Sequence, residues 1–189
     1  MKLTHSFHFL FLVWNLFLAV IPFAITAYLI SNPKLSKYGL YFWFCVWLLF
    51  LPNAPYIITD LLHLKVSSSY LLWLDVLVVT SFALNGLLLF LLSITDMKAI
   101  MSRFTNNKYV NPIFIFILFL CGFGVYLGRF LRYNSWEVIQ NPLNLLNDII
   151  FLIIHPNLNL EACLFTFIFG SFLNVAYWMF KQLYANTSK

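Results

Sequence analysis

Two groups of residues could do chemistry. The first is Asp60 and His63, three apart in the stretch Pro52-Asn53-Ala54-Pro55-Tyr56-Ile57-Ile58-Thr59-Asp60-Leu61-Leu62-His63-Leu64. On a helix they share a face, where a carboxylate and an imidazole can exchange protons with a substrate. The second is Arg129, Arg132 and Trp136, at offsets of three and four. Guanidinium forks at that spacing suit a phosphate or carboxylate. With Asp75 as a further acid, the expected catalytic set is Asp60, His63 and Asp75, and the expected binding set is Asn53, Arg129, Arg132 and Trp136. As a metal site the Asp-x-x-His pair supplies only two ligands and would need Asp75, Asp148 or His155 as a third. Hydrogen bonding therefore ranks above metal, no metal site is assigned, and no cofactor can be named.

These residues sit in a chain that is 62% hydrophobic and 9% charged, with a mean hydropathy of +0.88. Soluble domains are roughly 45–50% apolar and about 25% charged. The composition indicates an all-α integral membrane protein, and 189 residues leave room for about five or six spans and no sizeable soluble domain. The expected organisation is one transmembrane helical domain over 1–189. The formal charge of +5 lies in short loops between apolar runs, where it orients the chain and meets anionic lipid rather than nucleic acid. Cys45, Cys121 and Cys163 are isolated within apolar runs and read as packing residues.

Five spans are expected, at about Phe7–Ile30, Leu35 or Tyr38 to Leu51, Tyr70–Ser93, Ile113–Tyr133 and Leu160–Leu183. A sixth run, Pro142–His155, is too short to cross and reads as an amphipathic or re-entrant helix. In the first span Asn15, Ala19, Pro22 and Thr26 form a small and polar stripe that should face other helices. The second is short, so Pro52 and Pro55 fall either within the membrane or at an interfacial turn. Pro52 should end one helix, with Asn53 capping and Pro55 opening the next, whose free amides would favour an anion. Asp75, Ser81 and Asn85 are polar positions of the third span. Asp96 and Lys98 are expected in the following loop, with Pro112 in the first turn of the fourth span. Gly124 and Gly128 there form a GxxxG pattern that permits close approach and a homo-oligomer. Asn134 and Glu137 have capping-box spacing.

With five spans, Lys34, Lys37, Lys98, Arg103, Lys108, Lys181 and Lys189 share one side, which the positive-inside rule makes cytoplasmic. The N-terminus is then outside and the C-terminus inside. Asp60, His63, Asp75, Arg129, Arg132, Asp148 and His155 all fall near the outer face. Asp60 and Asp75 are expected to meet Arg129 and Arg132 across an outward-facing cavity.

Trp47 to Leu64, Ser81-Phe-Ala-Leu-Asn-Gly86 and Tyr126-Leu-Gly-Arg-Phe-Leu-Arg-Tyr-Asn-Ser-Trp136 resemble the bacterial membrane proteins grouped as the domain of unknown function 1361 family. The resemblance implies a multi-pass protein of the bacterial plasma membrane and supplies no catalytic residue. The residues themselves suggest a site that binds or acts on an anionic lipid or polyprenyl headgroup. A small transporter or proton-coupled permease, and a non-catalytic membrane assembly protein, are the alternatives.

Overall fold

Apolar length sets the helices. In the computed structural model, which describes residues 4–32, 36–66, 72–133, 140–155 and 159–187, α1 spans Thr4–Ser31, α2 Lys37–Phe50, α3 Asn53–Tyr56, α4 Leu72–Ser102, α5 Asn107–Arg129, α6 Pro142–Ile154 and α7 Leu160–Thr187. A 3-10 helix, Ile57–Val66, follows α3. No strand occurs among the described residues. Among the described residues, five stretches are long and apolar enough to cross a membrane: Leu10–Ser31, Lys37–Leu61, Trp73–Ser102, Lys108–Arg129 and Leu160–Leu183. With the shorter apolar α6, this is the expected all-helical architecture, consistent with a multi-pass membrane protein.

The chain divides into two compact units, Met1–Phe104 and Thr105–Lys189. In the first, α1 packs on α4, α2 and α3, and the 3-10 helix packs on α4. The small and polar stripe of α1 forms the inner face: Asn15, Ala19, Pro22 and Thr26 are all buried, beside Leu12, Ile25 and Leu29. Small side chains let neighbouring backbones approach, and in a bilayer that contact takes the place of hydrophobic burial as the driving force. Trp47 of α2 is fully buried and donates its Nε1–H to Ser93 Oγ of α4 at 2.7 Å.

In the second unit α5 packs along α7. Gly122 and Gly170 make that approach possible: a Cβ on Gly122 would lie 3.0 Å from Gly170 N and 3.1 Å from Thr166 O, and one on Gly170 would meet the ring and backbone of Phe119. The glycines of the GxxxG pattern lie two and six residues beyond Gly122, and both are half-buried. Helix α6 packs through Leu152 against Tyr126 of α5 and Ala162 of α7.

Two boundaries depart from expectation. α4 does not end at Ser93 but runs to Ser102, so Asp96 and Lys98 are helical. α5 starts at Asn107, capped by Asn106, whose side chain accepts from Lys108 N. Pro112 consequently lies inside that helix. A polar run between two apolar ones reads as a loop, but backbone hydrogen bonds continue wherever packing covers one face. Asn134 and Glu137 lie outside the described residues, as do Ser69 and Tyr70 at the expected start of the third span.

Candidate functional site

The proline stretch does not break the chain's helical path. Leu51 and Pro52 both keep right-handed helical angles (φ −55°, ψ −41° and φ −62°, ψ −21°), as does Ile57 (φ −57°, ψ −27°). The amides beside the prolines are used locally: Leu51 N donates to Trp47 O, Ala54 N to Leu51 O and Tyr56 N to Pro52 O. The expected free amide terminus, and the anion site it would make, is therefore not formed. Asn53 does not cap forward; its Nδ2 donates back to Phe50 O at 3.0 Å. It satisfies one of the last carbonyls of α2, which Pro52 and Pro55, having no N–H, cannot. The candidate span Lys37–Leu61 contains both prolines.

The segment then narrows into ten residues of 3-10 helix, well beyond the three or four usual for this geometry. Close packing on α4 holds it: a Cβ on Gly86 would lie 2.6 Å from Ala54 O and 3.0 Å from Ile57 Cδ1. Ala54 and Ile57 are fully buried. Two of the sequence stretches singled out above, 47–64 and 81–86, thus meet at Gly86.

This path carries Asp60 inward. Asp60 is 2% exposed, and its Oδ2 accepts from Asn15 Nδ2 at 3.1 Å. Thr59, also buried, bonds back to Tyr56 O. Asp75 lies in the first turn of α4 and is half-buried. The side chain of His63 and the whole of Trp136 lie outside the described residues. Asp60 and Asp75 belong to residues 1–104, and Arg129 and Arg132 to residues 105–189.

In the second unit the end of α5 is shaped by its own backbone. Arg129 occupies the last turn, where its charge suits the negative end of the helix dipole. Arg132 has φ 61° and is the one non-glycine residue with positive φ among those described. That conformation costs an L-residue about 1–2 kcal/mol, so something must hold it. Tyr133 does so from both ends: its N–H donates to Leu127 O at 3.1 Å, and its hydroxyl donates to Asp148 Oδ2 at 2.6 Å. The second bond ties α6 to the end of α5. Arg132 itself is exposed, and Arg129 half-buried.

α6 is amphipathic as expected, and its inner line is Leu145, Ile149 and Leu152. Leu143, Leu146, Ile150, Phe151 and Ile154 are exposed, and Asn144, Asp148 and His155 lie apart from the packed line, also exposed. Glu161 is exposed in the first turn of α7.

Residues that sequence reasoning passed over include Tyr133, whose hydroxyl organises the turn, and Asp96. Asp96 is half-buried, and the Thr26 hydroxyl reaches its Oδ2 at 3.5 Å. Because that hydroxyl also donates to Phe23 O at 2.9 Å, the contact with Asp96 is the weaker of the two. The signal for Asp96 was its offset of three from Ser93 in a run that stays helical. Among the described residues, no group of three or more His, Cys, Asp and Glu could hold a metal ion.

No curated protein and no solved structure matches the chain. The family model for "Protein of unknown function (DUF1361)" matches residues 14–176. That match takes in the proline stretch, Gly86, and both arginines, and on this ground the chain belongs to the DUF1361 family.

Proposed function

We propose that this chain is a plasma-membrane protein, N-terminus outside and C-terminus cytoplasmic, that binds an anionic lipid or polyprenyl headgroup at the outer leaflet through Arg129 and Arg132. The observation that carries the reading is the Tyr133–Asp148 hydrogen bond of 2.6 Å. A helix too short to span, with Leu143, Leu146, Ile150, Phe151 and Ile154 exposed, suits the boundary between headgroups and acyl chains. Because Tyr133 joins that helix to the end of α5, the two guanidinium groups come to headgroup level. There they can fork onto a phosphate, and the held turn at Arg132 reduces the ordering cost of binding.

Asp60, His63 and Asp75 belong to residues 1–104, and any acid–base chemistry they supply is proposed for that unit alone. The burial of Asp60 and its bond to Asn15 support binding over turnover, since a general acid must reach its substrate. They equally support a non-catalytic assembly role for residues 1–104, in which Asn15–Asp60 and Trp47–Ser93 lock helices together.

The test is native mass spectrometry of gently purified protein, with thermal unfolding in nanodiscs of phosphatidylglycerol or of phosphatidylcholine. The expected result is retained anionic lipid, with a higher unfolding midpoint in phosphatidylglycerol. Both should be lost in Arg129→Gln/Arg132→Gln and kept in Asp60→Asn. A wild-type protein with no retained lipid and equal midpoints in the two bilayers overturns the proposal.

A further inference from the structure

Ser81 and Asn85 of α4 are exposed, although Asn85 lies about 18 Å along the helix from one end of the span Trp73–Ser102 and about 25 Å from the other. Each bonds to its own helix, Ser81 Oγ to Leu77 O at 2.7 Å and Asn85 Nδ2 to Ser81 O at 2.8 Å. An amide has two N–H donors and a carbonyl acceptor, so the helix uses one donor and leaves an N–H and an oxygen directed away from its own backbone. Hydrocarbon offers neither a partner, and an unmet polar group there is costly.

Leu74, Val78, Ser81, Asn85, Leu88 and Leu92 recur at intervals of four and three along this face. Leu74, Ser81, Asn85 and Leu88 are exposed and the other two half-buried. This is the spacing of a two-helix seam, with Ser81 as a small residue at its centre and Asn85 at a core position of the repeat. The exposed described side chains in the middle of the spans of residues 105–189, from Ile113 to Leu120 and from Leu164 to Val175, are all apolar. The polar side chains of those stretches, Thr166, Ser171 and Asn174, are half-buried. Another copy of Asn85 offers a full complement, because an amide is complementary to itself. All copies of one chain insert with the same orientation, so a two-fold axis normal to the membrane brings identical residues of α4 to the same depth.

We propose that two copies of this chain associate in parallel along α4, with their Asn85 side chains exchanging amide hydrogen bonds across the two-fold axis. The association is independent of headgroup binding.

The test starts from a variant with Cys45, Cys121 and Cys163 replaced by alanine, carrying single cysteines and oxidised in native membranes. Ser81→Cys, Asn85→Cys and Leu88→Cys should give disulfide-linked dimers, and Gly124→Cys and Ile168→Cys should not. In liposomes, energy transfer between labelled copies should show Asn85→Leu weakening association roughly tenfold and Asn85→Gln retaining it. Unchanged lipid retention and unfolding midpoint in Asn85→Leu would separate this result from loss of the headgroup site or of the fold. Absence of dimers at the three seam positions, crosslinking through Gly124→Cys instead, or closure of an Asn85→Cys/Asn174→Cys pair within one chain would each overturn the proposal.

Discussion

Asn15 of α1 donates its amide to Asp60 at 3.1 Å, joining two buried side chains 45 residues apart. The bond holds the 3-10 helix against the first span and gives the carboxylate a donor. Asn15→Leu removes that donor and leaves the buried carboxyl group in place, so it is expected to destabilise the protein by about 1–3 kcal/mol. Asp60→Asn, which keeps a polar group of the same shape with an oxygen that can accept from Asn15, should cost less. Unfolding midpoints in detergent check the order, and an Asn15→Leu protein as stable as wild type would remove the pair from any account of the fold.

Gly86→Ala is expected to be more damaging than Gly122→Ala. The new methyl would meet the Ala54 carbonyl oxygen at 2.6 Å, and a backbone atom cannot rotate away. At Gly122 the nearest backbone atoms lie at 3.0 and 3.1 Å, where a shift of a few tenths of an ångström gives relief. Overpacking at such sites costs about 1–3 kcal/mol. Equal midpoints for Gly86→Ala and Gly122→Ala would contradict this.

Trp47 and Ser93 should be energetically coupled. Their 2.7 Å bond is fully buried, and interhelical hydrogen bonds in membranes average about 0.6 kcal/mol with a maximum near 1.7. A double-mutant cycle of Trp47→Phe and Ser93→Ala is expected to give a coupling in that range. Strict additivity would mean that the indole acts by packing alone.

Thr166 presents the opposite case. Its Oγ1 is buried, and among the described residues no hydrogen-bond partner is found for it. Thr166→Val keeps the shape and removes the unmet hydroxyl, so the variant should be as stable as wild type or more stable, by up to about 1 kcal/mol. A clear loss on thermal unfolding would show that the hydroxyl has a partner after all.

Much of the architecture was legible in the residues because its causes are local. Span number follows from apolar length, and α6, at 13 residues from Pro142 to Ile154, is too short to cross. The inner face of α1 could be read from Asn15, Ala19, Pro22 and Thr26, since helical spacing alone puts them on one side. Glycine showed the limit of that reading: GxxxG spacing drew attention to Gly124 and Gly128, whereas the α5–α7 approach is made at Gly122 against Gly170. Which glycine is used depends on where the second helix crosses.

Sequence by itself determined that this is a helical protein with five membrane-length apolar helices, and that Pro52 to His63 is an unusual stretch. Only the tertiary structure decided what that stretch does. Contact with Gly86 and α1 stabilises a 3-10 path that local preference would not sustain, and that path turns Asp60 toward Asn15. Likewise, nothing near Tyr133 in the chain identifies Asp148 as its partner; the approach of α6 to α5 through Leu152 and Tyr126 does. Helix length and face are properties of neighbouring residues, but a hydrogen-bond partner 15 or 45 residues away is set by how the helices pack.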